Sequence, residues 1–371
     1  MKKKYIIFSI VTLVLLVSFL SYSKYLKTTN VCKEDVKPTK ITKGISMNLE
    51  QTAGAGDYKT VTQSSWPTEG YEFNAELSKC ENGSEISWDD TKKAVIVSGN
   101  LADKCYVYFD IYQPTLAEYV KSQYTGTQGK NSLYYHDSSL ANGAGDNSYR
   151  YAGASDSVNN YICLGSDEAT CPDANLFRII GVFGDQTKVI RAKSIGNQKW
   201  DTNNSNTWSS SSLNTYLNGE YLTSLGTIAE KIATTTWKVG GRSSTYLYDV
   251  PTTAYQYEVG SSASTTTYDA KIGLMYVSDY GFAADQSGWT TKLDSYGSNS
   301  SKNWLYLGSF EWTISRNSDL ASSAFFVYST GYVNYYYVYI NSFAVRPVFN
   351  LESSVKYVSG SGSMSDPVRV N

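Results

Sequence analysis

The chain is poor in the residues that most enzymatic and nucleic-acid chemistry relies on. Its 371 residues include one histidine, His136. Ser-His-Asp hydrolysis, histidine-rich zinc sites and imidazole general bases therefore have almost nothing to draw on. A lone histidine beside tyrosines in Tyr134–Asp137 reads as a surface residue. Charged residues make up 18% of the chain, with a formal net charge of -2. No Lys/Arg stripe occurs outside the extreme N-terminus, so the electrostatic footprint of a nucleic-acid binder is missing. There is no CxxC pair, no DxDxDG-type calcium loop and no sorting motif before the closing Val368-Arg369-Val370-Asn371. No metal or cofactor is expected.

Polarity comes instead from Ser, Thr, Asn, Gly and 33 tyrosines. Tyrosine and Ser/Thr suit half-exposed strands, and tyrosine also serves recognition surfaces. The composition fits a β-rich extracellular scaffold.

Met1-Lys2-Lys3-Lys4 precedes a mostly apolar run from Tyr5 to Leu20. Its length lies between a signal h-region and a short membrane span, and the lysines place the N-terminus inside. Residues 1–23 read as a signal anchor or a signal peptide, with Ser21-Tyr22-Ser23 as a weak cleavage pattern. Both readings export the rest: an ectodomain outside the cell membrane, tethered through the N-terminus or secreted after cleavage. Cys32 lacks the small residues that precede a lipidated cysteine. In an exported chain, Cys80 with Cys105 and Cys163 with Cys171 read as disulfides, each contributing about 2–4 kcal/mol. Cys32 is left as a free thiol, an intermolecular bridge, or the partner of another cysteine.

Residues 24–45 read as a polar stalk. Residues 46–112 form a small all-β sandwich, with Tyr71, Phe73, Ala75 and Leu77 alternating with polar residues, and Cys105, Val107, Phe109 and Ile111 doing the same. Residues 113–146 read as a linker with one short helix capped by Thr115. The second domain, 147–371, is α+β. Leu176–Phe183 and Thr187–Ala192 form a hairpin across Gly184-Asp185. Trp208–Leu225 is an amphipathic helix divided at Asn218-Gly219, and Thr227–Ala233 is a second, short one. Lys271–Ser278 reads as a strand. Ala324–Tyr339 reads as a hairpin pairing Val327 with Val333 and Phe325 with Tyr335, with a bulge between Asn334 and Tyr337. Ala344–Phe349 is a buried strand whose Arg346 needs a carboxylate, Glu311 or Asp279.

Tyr149–Ala154, Asn160–Cys163, Leu176–Phe183, Lys271–Gly281, Trp312–Arg316, Gly331–Val333 and Val345–Phe349 follow one another in an order that resembles uncharacterised surface-protein domains of Gram-positive gut bacteria. Those domains are in turn remotely similar to the C-type-lectin-like group that includes formylglycine-generating enzymes. The resemblance covers about residues 147–371 and implies a twisted antiparallel sheet, two main helices and long loops. The acidic-amide-proline motif of calcium-dependent lectins is absent, and four of the five cysteines are assigned to disulfides, so neither chemistry transfers to any residue. Some members of the fold group are diversified by adenine-directed mutagenesis. Tyr328, Ser329, Tyr332, Asn334, Tyr335, Tyr336, Tyr337, Tyr339, Asn341 and Ser342 fit that residue palette.

Function is expected to be binding or adhesion without catalysis, to a glycan, cell-wall polymer or protein. Trp304, Trp312, Tyr332, Tyr336 and Tyr339 are the expected contacts. The alternatives are a structural subunit and a carbohydrate hydrolase using Glu311 and Asp279.

Overall fold

A computed structural model describes residues 33–35 (backbone), 44–62, 65–67, 69–100, 102–245 and 249–371. The expected anchor 1–23 and Cys32 lie outside them. Among the described residues, no helix is long and apolar enough to cross a membrane, and no group of three or more His, Cys, Asp or Glu side chains can hold a metal ion.

The chain divides between Gln113 and Pro114. In the first unit, strands β1 (Lys33–Asp35), β2 (Ile45–Glu50), β3 (Tyr58–Val61), β4 (Tyr71–Cys80), β5 (Glu85–Asp89), β6 (Ala94–Ser98) and β7 (Cys105–Ile111) form two sheets among the described residues, ordered β1-β6-β5 and β3-β2-β7-β4. Part of the expected stalk is therefore a strand. Met47, Leu49, Trp66, Val95, Val97, Val107 and Phe109 fill the core, and the Cys80–Cys105 disulfide joins paired residues of β4 and β7. The expected alternation holds on β7 and fails on β4. A register shift between Asn74 and Lys79 turns Ala75 and Leu77 outward.

In the second unit, helix α1 (Leu116–Ser122) starts as expected. The Thr115 hydroxyl accepts from the Glu118 N–H, and the Glu118 carboxylate accepts from the Thr115 N–H. Leu116, Ala117, Val120 and Leu133 belong to this unit's core, so residues 114–146 are not a linker. They also contribute β8 (Leu133–His136), which pairs with β9 (Ser148–Tyr151).

The largest sheet among the described residues also contains β10 (Tyr161–Cys163), β11 (Leu176–Phe183) and β12 (Gln186–Arg191). Farther along come β13 (Asn197–Gln198), α2 (Ser212–Tyr216), α3 (Leu222–Ser224), β14 (Thr235–Lys238), α4 (Pro251–Glu258), β15 (Thr267–Ala270), β16 (Ile272–Gly273) and α5 (Val277–Phe282). The last strands are β17 (Glu311–Arg316), β18 (Ser323–Val327), β19 (Val333–Tyr337), β20 (Phe343–Ala344), β21 (Val348–Leu351), β22 (Tyr357–Ser359) and β23 (Val368–Val370). The large sheet runs β16-β21-β12-β11-β10-β23-β22, with β9 on β11 and β8 on β9. A second sheet runs β13-β20-β17-β18-β19, and β14 pairs with β15. Most ladders are antiparallel, but β10–β23 and β17–β20 are parallel.

Several local expectations are corrected. The segment around Asn218-Gly219 does not break; it winds as a π-turn, Leu217–Tyr221, between α2 and α3. The two expected helices are thus a composite segment and a 3-10 turn at Gly226–Lys231, while α4 and α5 were missed. Lys271–Ser278 is strand only at Ile272–Gly273, and Val277 already begins α5. Ala344–Phe349 is split between the two sheets, with Arg346 at the crossing. The hairpin registers Val327 on Val333 and Phe325 on Tyr335 as expected, but without a bulge. The chain leaves the ladder after Tyr337, and buried Val338 donates its N–H to the Ser322 carbonyl, which accounts for the change of parity.

Candidate functional site

One cross-strand row builds the most distinctive site. In register across the large sheet stand Arg150 on β9, Gly181 on β11, Lys188 on β12 and Asn350 on β21. Gly181 is the residue that permits this row. A Cβ there would lie 2.1 Å from the Tyr149 carbonyl oxygen, so only glycine lets β9 approach β11 so closely. The β9 backbone fills the space a side chain would take, which brings Arg150 into the row with Lys188. Register shifts between Ile179 and Gly181 on β11, which aligns Gly181 with Lys188.

Three elements close over the row. α5 supplies Asp279, whose Oδ2 accepts from Lys188 Nζ at 2.6 Å and from the Tyr276 N–H at 2.9 Å. Its Oδ1 lies 3.5 Å from an Arg150 Nη. β14 supplies Trp237 and Lys238, and α4 supplies Tyr255. Arg150 is held on every side. Its Nε donates to Ser148 Oγ, its Nη2 donates to Asp146 Oδ2 at 2.6 Å, and its guanidinium lies over the Phe183 and Phe282 rings. Burial alone would raise the Asp146 pKa, but the Arg150 charge and hydrogen bonds from Ser148 and Arg150 hold it at about 2.

Lys188 differs from Arg150. Its ammonium sits 5.2 Å from the Phe183 ring centroid, 4.9 Å from Tyr276 and 5.9 Å from Trp237. Among the described residues, Asp279 is its one hydrogen-bond acceptor, so two of three N–H donors have no protein partner. Burial pushes its pKa down and the Asp279 carboxylate opposes that. These groups line a cleft of about 290 Å³ with Asp146, Ser148, Tyr255, Thr235 and Thr236 at its walls and mouth. A larger, more open groove of about 700 Å³ runs along the Cys163–Cys171 loop and β23. Its main cation, Arg369, is already committed to the Ser166 and Glu168 carbonyls. The smaller cleft carries the more distinctive chemistry.

The sequence-chosen residues fall elsewhere. Trp304 and Trp312 are buried, with their indole N–H groups donating to the Tyr151 and Gln198 carbonyls, so neither forms a contact surface. Tyr332 is half-buried and stacks on Tyr328. Tyr336 is exposed and Tyr339 partly so; they flank exposed Tyr337 at the end of edge strand β19. His136 is fully buried, not on the surface. Its Nδ1 accepts from the Ala144 N–H, its ring packs against Phe282 and Trp289, and its Nε2 has no partner. Arg346 does pair with Glu311: Nε and Nη2 reach the two carboxylate oxygens at 2.6 and 2.8 Å. Glu311 does not line the cleft, whereas Asp279 does. The expected carboxylate pair is split between two ion clusters.

Arg150, Lys188, Trp237, Tyr255 and Tyr276 were not singled out from the sequence. The available signals were a lysine inside the apolar strand Thr187–Ile190 and an arginine between Tyr149 and Tyr151.

No curated protein and no solved structure matches the chain. Residues 184–353 match a family model described as a domain of unknown function (DUF6273), a stretch that contains Lys188, Trp237, Tyr255, Tyr276, Asp279 and Asn350 but leaves Asp146 and Arg150 outside it.

Proposed function

We propose that the chain is an exported, membrane-anchored binding protein without catalysis, and that its second unit takes a small ligand, or the end of a polymer, in the cleft above Lys188. The observation that carries this reading is a buried ammonium, ringed by three aromatic side chains, that faces a cavity with two N–H donors unmatched. A buried polar group lacking partners is costly, and a ligand that supplies acceptors relieves the cost. Export rests on the lysines and apolar run of residues 1–20. The finer assignment of a C-type-lectin-like α+β domain is supported by a mostly antiparallel sheet with short helices and long loops.

The test is a glycan and cell-wall polymer array, run with and without calcium, on the parent chain and on Thr236→Trp. Thr236 is exposed at the cleft mouth, so an indole there covers the entrance without disturbing the core. Hits that disappear in the variant support the cleft; hits that persist remove it as the binding site.

A second reading has one observation in its favour. The exposed Tyr336, Tyr337 and Ile340 at an edge strand suit a protein partner or self-association in a structural subunit. A monomeric sedimentation profile at high concentration counts against the self-association version.

A further inference from the structure

We infer that the ligand of the cleft is a monoanionic carboxylate carried on a single-ring body. This rests on the cleft being the binding site, and it follows from an account of which polar groups there are already matched.

Most acceptors are occupied; among the lining groups the buried Asn350 Oδ1 has no partner. Asp279 Oδ2 takes Lys188 and the Tyr276 N–H. Asp146 Oδ1 takes the Ser148 N–H and hydroxyl, and Oδ2 takes Arg150. The Tyr276 hydroxyl accepts from the Lys238 N–H and donates to the Lys238 carbonyl. Beyond the Asn350 oxygen, what remains is donors. Lys188 keeps two, and the Lys238 ammonium has only a long 3.5 Å contact with the Gly260 carbonyl. The charges point the same way: Arg150, Lys188 and Lys238 against Asp146 and Asp279 leave one positive charge in excess along the lining. Surplus donors and one surplus positive charge call for a ligand with acceptors and one negative charge.

Carboxylate is favoured over phosphate. The unmatched donors are mainly ammonium groups and the Arg150 fork is turned to Asp146, whereas a phosphate is usually taken by a free guanidinium fork or a nest of backbone N–H groups. A phosphate would also bring up to two negative charges against one. The body is limited by the cavity of about 290 Å³ and faced by the Phe183, Trp237 and Tyr276 rings. Aromatic walls of this kind take the apolar face of a sugar ring or an aromatic ring. A uronic acid and an aryl acid share the required chemistry, and the experiment separates them.

The full chain, purified in detergent, is titrated calorimetrically with glucuronate, glucose, phenylacetate, phenylethanol and inorganic phosphate. The expected result is that one acid binds at least about tenfold more tightly than its neutral counterpart and than phosphate. Lys188→Met should remove most of that preference, and Lys188→Arg should restore part of it. Thr236→Trp, at the exposed mouth, should abolish binding without loss of thermal stability. Equal binding of acid and neutral counterpart, blocked by Thr236→Trp, overturns the carboxylate while leaving the cleft as a site. Preference for phosphate overturns it likewise. Absence of binding by both acids up to about 10 mM overturns it outright. Binding unaffected by Thr236→Trp removes the underlying cleft reading as well.

Discussion

Two of the buried ion clusters in the second unit have similar composition but are finished differently. At the crossing between its two sheets, Arg346 is bidentate to Glu311 and gives a further hydrogen bond to the Leu305 carbonyl. Both side chains are almost wholly enclosed. Burial pushes the Glu311 pKa up, and Arg346 pulls it back. Around the Arg150–Gly181–Lys188 row, two acids and two bases are also paired, but the Lys188 ammonium is left short of acceptors and the cluster opens on a cavity. A buried pair costs desolvation whether or not it has a further use. The comparison teaches that burial and pairing alone do not separate a structural ion pair from a site. The separating observation is whether the cluster opens on a cavity with a cation's donors facing it.

The largest expected effect falls on the closed cluster. Arg346→Met strands the Glu311 carboxylate, and chemical denaturation should show a loss of about 3–5 kcal/mol, independent of any ligand. At the open cluster, Lys188→Met leaves Asp279 still beside Arg150, so the loss should be smaller, about 1–3 kcal/mol, and accompanied by loss of ligand binding. Equal stability costs at the two clusters would erase the distinction. Gly181→Ala places a methyl group against the Tyr149 carbonyl, which should cost about 1–3 kcal/mol and weaken binding by displacing Arg150. A thermal melt and a binding titration on the same sample check both parts.

The next prediction concerns His136, whose ring lies behind the open cluster. Burial holds its pKa well below the usual value, and the Arg150 charge adds to this. The unfolded chain then takes up a proton that the folded chain refuses. His136 therefore costs no stability above pH of about 6.5; as pH falls below that value, stability drops by up to about 1.4 kcal/mol per unit until the folded-state pKa is reached. Denaturation curves at successive pH values should show this slope, and His136→Gln should flatten it. The smallest effect is expected at the edge strand. Tyr336→Ala should change stability by less than about 0.5 kcal/mol and leave cleft binding intact.

The β-rich character was legible because it rests on local patterns: alternation on β7, the mostly apolar β11 with its Gly184-Asp185 turn, and the Val327/Val333 register. So was the Thr115 cap, which lies within one helical turn. The disulfides were legible from the cysteine spacing. Arg346 was recognised as a structural cation because an arginine in an apolar strand needs a carboxylate. The cleft was not legible. Its row depends on β9 docking beside β11 across a glycine, and β9 is a four-residue strand that follows a segment of Gly, Ser, Asn and Asp. Nothing local in Ser148–Tyr151 says which strand it joins. Lys188 carried the same signal as Arg346, a cation in a buried strand, but its carboxylate comes from α5, a helix hidden in a segment that reads as strand. The tryptophans misled because aromatic bulk suits a core as well as an interface, and only the matched indole N–H groups of Trp304 and Trp312 separate the two.

The most direct test of the account is amide hydrogen exchange on the full chain, with and without a ligand taken from the array screen. The account predicts protection at residues 148–151, 186–191, 235–238 and 276–279, with residues 333–340 and the Arg346–Glu311 crossing unchanged. Protection confined to residues 333–340 would contradict it and move recognition to the tyrosine edge.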